Sequence, residues 1–185
     1  MNACGVAVVV ASVVLLLGGC AAESGITATT TPVETAEPVV FAMPTTCDDL
    51  VPKDRVKGLV LLGGPDGLYG DAYLAESTPE QDYGGITCIW GHDATEISSV
   101  TVSVAPLSDD TRDLVVESLL SQGLNVVEQD GFAEYAEAGD QDGSAAVYNA
   151  IRHDSWVSVI ETIGGEASFT EAVAIANEVA ATVYR

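Results

Sequence analysis

The sequence predicts an α+β domain, an antiparallel sheet with helices packed on one side and tied by one disulfide. Three observations predict it: Val alternating with Ser or Thr, apolar stripes at helical spacing behind polar caps, and two cysteines left to pair in the body of the chain. Helix, two strands, helix, three strands, helix is the expected order.

At the N-terminus, residues 1–19 carry no charged side chain, and Gly5 to Gly19 is mostly Val, Ala and Leu. That length fits the apolar core of an export signal and falls short of the roughly 20 residues a spanning helix needs. Leu17-Gly18-Gly19-Cys20 then resembles a bacterial lipobox: Leu, two small residues and a thiol that takes a diacylglycerol. The expectation is a signal peptide over 1–19, a lipid (diacylglycerol and palmitate) on Cys20, and an extracytoplasmic protein anchored in the cell membrane. Cys20-Ala21-Ala22 also forms a small-x-small site, which keeps ordinary secretion with cleavage after Ala22 as the alternative.

Residues 20–45 mix Ala, Thr, Pro and Glu and read as a flexible tether with an end-to-end distance of roughly 30 Å. A single domain over 46–185 follows, long enough for one core. Asp48 and Asp49 are acids suited to a first helical turn, and Pro52 suits the first position of a helix over Pro52–Leu59. Gly63 to Gly70 reads as a loop; it lacks the Lys-Ser/Thr of a phosphate loop.

Gly85–Trp90 and Ile97–Val104 read as strands around a turn at Gly91 to Glu96, the second with Val100, Val102 and Val104 on one face and a wet face opposite. Cys88 and Trp90 are two apart and share a face. If Cys4 leaves with the signal and Cys20 takes lipid, Cys47 and Cys88 remain in an oxidising compartment and should pair. Closing that loop stabilises by about 4 kcal/mol in the chain-entropy model.

Cys47, Leu50 and Pro52, then Cys88-x-Trp90, behind a lipobox and a Thr/Pro-rich tether, resemble the uncharacterised actinobacterial cell-envelope lipoproteins of unknown function. The resemblance spans roughly residues 15–105. It implies an extracytoplasmic α+β domain and transfers no catalytic residues.

In the second half, Ser108-Asp109-Asp110 caps a helix carrying Leu114, Val115, Leu119 and Leu120 and closed by Gly123. Strands are expected near Gly131–Ala138, Ala145–Arg152 and Trp156–Ile163. Ser168-Phe169-Thr170-Glu171 reads as a capping box, followed by a stripe of Phe169, Val173, Ala176, Ala180 and Val183.

Charge excludes one class of partner: 28 acidic against 6 basic residues give a net charge of −22, which repels nucleic acid. Anionic membranes are repelled as well, so attachment falls to the lipid on Cys20. His153-Asp154-Ser155 has the letters of a triad, but neighbours on an extended chain face apart. His92 falls in a turn. Asp140-Gln141-Asp142-Gly143 is similar to the middle of a calcium loop, yet Ala138 and Asn149 then stand where carboxylates are required. Neither histidine has a partner at ligand spacing, so no metal and no cofactor is expected. Tyr148 and Trp156 read as core residues rather than a carbohydrate platform.

The expected role is a non-catalytic binding or accessory domain with a partner protein in the cell envelope, not an enzyme. The alternatives are a small-ligand carrier, marked by an apolar cavity between sheet and helices, and an envelope hydrolase using paired carboxylates.

Overall fold

The computed structural model describes residues 39–64, 67–68, 77–92, 99–129 and 131–185. The expected signal peptide, Cys20, most of the tether, part of the glycine-rich loop and most of the turn after Gly91 lie outside them.

The elements are α1 (Cys47–Leu50), β1 (Val60–Gly64), β2 (Gly67–Leu68), α2 (Pro79–Asp82), β3 (Ile86–Gly91), β4 (Ser99–Pro106), α3 (Asp109–Ser121), β5 (Asn125–Gln129), β6 (Phe132–Glu137), β7 (Ala146–Arg152), β8 (Ser155–Glu161) and α4 (Glu166–Val183). The described strands form one sheet in the order β2-β1-β3-β4-β8-β7-β6-β5, and every pairing is antiparallel. After the β3–β4 hairpin α3 carries the chain to the far edge, and β5 to β8 wind back until β8 pairs with β4. The α+β class, the antiparallel sheet and the Cys47–Cys88 disulfide are present as expected, with the two Cα atoms 5.7 Å apart.

Alternation sends the two faces of the sheet to different tasks. One presents Ile86, Cys88 and Trp90, Val102 and Val104, Val157 and Val159, and Tyr148 and Ala150 to α1 and α4. This is the main core. On the other face Ala105, Ile151, Trp156 and Tyr135 meet Leu107, Leu124 and the α3 residues Val115 and Leu119. Helix placement is therefore wider than expected: α1 and α4 cover one side, whereas α3 and α2 lie against the other.

Several elements differ from their expected places. The helix expected over Pro52–Leu59 is instead α1, because the Thr46 side chain accepts from the Asp49 N–H at 3.2 Å and starts the turn earlier. Val51, before proline, is extended at φ −119°, so the turn ends there and residues 53–58 form turns. Val60–Gly64 is a strand that runs into the start of the loop expected over Gly63 to Gly70. β5 and α2 were not expected. α4 starts at Glu166 behind Gly165, and the box at Ser168 does not form; the Thr170 hydroxyl donates to the Glu166 carbonyl instead. Its buried stripe is Ala172, Ile175, Ala176, Val179 and Val183, with Phe169 and Val173 at the margin.

Two long-range ties close the α4 side. Arg55 Nε donates to both oxygens of Glu178 at 2.9 Å, and its Nη1 reaches Glu171 at 3.1 Å. Val40 N–H donates to the Arg185 carbonyl at 2.8 Å and Ala42 N–H to Val183 at 2.7 Å, so part of the stretch expected as tether pairs with the C-terminal residues. No helix among the described residues is long and apolar enough to cross a membrane.

Candidate functional site

Between α2 and α3 the described residues leave the sheet face opposite α4 uncovered, and there they enclose an open hollow of about 670 Å³. Its floor follows from register. Ile89, Thr101, Ile160 and Val147 pair across β3, β4, β8 and β7, and the next row is Thr87, Ser103, Ser158 and Asn149. An apolar rank thus runs beside a polar one. Beyond them Trp156 and Leu119 form the α3 wall, while Ser99 and Thr162, hydroxyls 2.7 Å apart, close the other end.

The second wall is α2, which carries Glu80. Thr78 caps this helix: its hydroxyl accepts from Gln81 N–H at 3.3 Å, and Gln81 Oε1 accepts from Thr78 N–H at 2.9 Å. Pro79 fits the first turn because its missing N–H is not needed there. Gly84 takes φ +79° to leave the helix, and a Cβ on Gly85 would stand 2.4 Å from the Val104 carbonyl and 2.5 Å from that of Glu80. Glycine at 85 therefore lets α2 lie down on β4.

Glu80 is 6 % exposed, and its side chain accepts from its own N–H and the hydroxyls of Ser158 and Thr78. Burial pushes the carboxyl pKa above the usual carboxylate value, and these hydrogen bonds oppose the shift. The Thr78 and Thr87 hydroxyls are 2.7 Å apart, and those of Thr87 and Ser103 2.9 Å. An ionised carboxylate only accepts, and each hydroxyl has one proton to give, so with Glu80 charged the chain donates from Ser103 to Thr87 to Thr78 to Glu80. The Asn149 amide is fixed too: Trp156 Nε1 donates to its Oδ1 at 2.9 Å, and its Nδ2 donates to the Tyr135 carbonyl at 3.2 Å.

Of the described residues singled out in the sequence, Trp156 borders the hollow and the others lie elsewhere. His153 is exposed and Ser155 is fully buried. Ser155 instead donates to the Tyr184 hydroxyl, which donates to Asp154 at 2.6 Å, a structural pin between β8 and the C-terminal end of α4. His92 lies exposed beyond β3. Asp140 accepts from the Asp142 N–H at 2.9 Å, closing its own turn, and this holds its carboxyl below the usual range. Among the described residues no three His, Cys, Asp or Glu side chains converge as metal ligands. Tyr148 and Trp156 are buried at 3 % and 5 % exposure, as core residues; Tyr148 donates to Glu134 at 2.7 Å.

The wet face of β4 was visible in the alternation of its sequence, and it is the floor of the hollow. Glu80 was missed, although Thr78-Pro79-Glu80-Gln81 has the Thr-x-x-Gln spacing of a capping box that would have placed it on a helix. Comparisons with protein-family models, curated proteins and solved structures find no match to this chain.

Proposed function

We propose that this chain is a lipoprotein of the actinobacterial envelope type, held by lipid on Cys20 at the extracytoplasmic face of the cell membrane, whose domain binds a small molecule in the sheet hollow without transforming it. The observation that carries the reading is the hollow itself: about 670 Å³, with an apolar rank, a polar rank and one buried acid. Small-molecule sites run to roughly 300–1,000 Å³ with mainly apolar walls and few oriented polar groups. The address rests on the lipobox and the uncharged run before it.

A hydrolase of the paired-carboxylate kind needs two acids facing one bond, and Glu80 is the sole acid among the described residues of the wall. A second binding reading, contact with an envelope protein, is favoured by Leu114 and Leu120, 57 % and 51 % exposed on α3, and by Val127, 53 % exposed on the edge strand β5.

Native mass spectrometry of the full chain recovered from membranes separates the two. The expected spectrum shows one small-molecule adduct per chain, absent in Ser118→Trp, which places an indole at the exposed α3 rim. A chain without adduct that cross-links to a protein through α3 and β5 overturns the small-molecule reading.

A further inference from the structure

The buried acid of the hollow lacks a counter-charge, and the sequence is short enough in cations to show where every one of them is. There are six Lys and Arg residues in all. Lys53 pairs with Asp48, Arg55 with Glu171 and Glu178, and Arg112 with Asp109. Arg152 lies between the Phe132 and Tyr184 rings, 5.0 and 4.7 Å from their centroids, and Arg185 donates to the Thr182 carbonyl. Lys57 is exposed in the turns before β1. None lines the hollow, and neither histidine does.

A desolvated carboxylate is costly unless a cation joins it, and hydroxyl donors offset only part of that cost. With Glu80 charged, the hydroxyls of Ser103, Thr87 and Thr78 can all turn their protons toward it. Glu80 lines the hollow, and a carboxylate has about four acceptor positions, so a donor in the hollow can reach it. Beside it, Ile89, Ile160, Val147 and Leu119 offer an apolar surface with no charge of either sign.

On the reading of the hollow as a small-molecule site, we infer that its ligand is an organic monocation: an apolar body lies along the Ile89–Ile160–Val147 rank and an ammonium group donates to Glu80. Anionic ligands find no cation in the wall and meet a net charge of −22. Neutral alcohols fit the apolar rank and leave the carboxylate without a counter-charge.

The test uses the full lipidated chain in nanodiscs, titrated calorimetrically with n-hexylammonium, 1-hexanol and hexanoate against empty nanodiscs. Hexylammonium should bind once per chain, about tenfold or more tighter than hexanol, the usual margin of a charge-assisted hydrogen bond over a neutral one, with hexanoate weakest. Glu80→Gln should bring hexylammonium down to the hexanol level and leave hexanol unchanged, whereas Asp110→Asn, an acid on the exposed start of α3, should alter neither. Ser118→Trp should abolish both. Equal affinity for ammonium and alcohol, or indifference of hexylammonium to Glu80→Gln, overturns the cation and leaves the small-molecule site standing. Absence of binding by all three probes overturns both. Should Glu80→Gln fail to fold, the ammonium-to-alcohol ratio of the unaltered chain decides alone.

Discussion

Glu161 shows at the residue scale how a single carboxyl couples this fold to pH. It ends β8 on the α4 face, in register with Val100 and Ala146, and its pKa is pushed up to about 7, first by burial and second by the nearby Glu171. In the unfolded chain the group titrates near its ordinary value, so the folded state binds the proton more tightly between the two pKa values. The stability it confers is fully present below about 4.5 and is lost as pH rises through about 7. Glu161→Gln keeps the protonated shape at every pH. Its melting temperature should therefore exceed that of the natural chain at pH 8 and match it near pH 4.5, and an equal difference at both would dismiss the account. Legibility at this scale follows from how local the cause is. Cys47 and Cys88 were readable as a pair because compartment and count constrain thiols strongly. Glu80 and Glu161 were not, because burial of a carboxyl depends on which strands and helices close over it.

Among the elements, α4 tests the packing. Its hydrophobic positions are plain in the sequence, yet the stripe drawn from them was rotated: Val173 lies at the margin, whereas Val179 is fully buried. The sequence contains apolar residues nearly all round this helix, so periodicity alone fixes the phase poorly. Contact with Val102, Val157 and Val159 in the main core settles it. The same chemical change at the two sites separates the readings. Val179→Ala removes two buried methyl equivalents and leaves a cavity, a loss of roughly 2 kcal/mol or more, whereas Val173→Ala should cost well under half of that. Chemical denaturation measures both; equal losses would restore the rotated stripe. Elements with a strong local signal, such as α3 behind Ser108 and the alternating β4, lie where the sequence puts them. β1 and β5 were missed for the opposite reason, since three aliphatic residues beside glycines, or Val126-Val127 among polar residues, become strands only when a neighbouring strand offers its edge.

At the scale of the whole molecule, the chain enters the domain on one side and opens its hollow on the other. Val40 and Ala42 pair with the C-terminal residues, and Phe41 and Met43 pack on the α4-side core, while the hollow lies on the opposite sheet face. The excess of acid over base leaves the chain no electrostatic affinity for anionic lipid, so the membrane attachment proposed above would rest on a lipid. Cys20, at the end of Leu17-Gly18-Gly19-Cys20, is the residue placed to provide it. One acyl chain gives marginal binding and two or more give stable anchoring, as a diacylglycerol on the thiol would. Cys20→Ala should therefore abolish labelling by a metabolic fatty-acid probe and move the protein from the membrane fraction. The Cys47–Cys88 bridge and the melting temperature of the domain should not change, because neither depends on the lipid. Undiminished labelling of Cys20→Ala would sink the assignment, and lost labelling accompanied by a broken disulfide would show that the variant fails in folding rather than in anchoring.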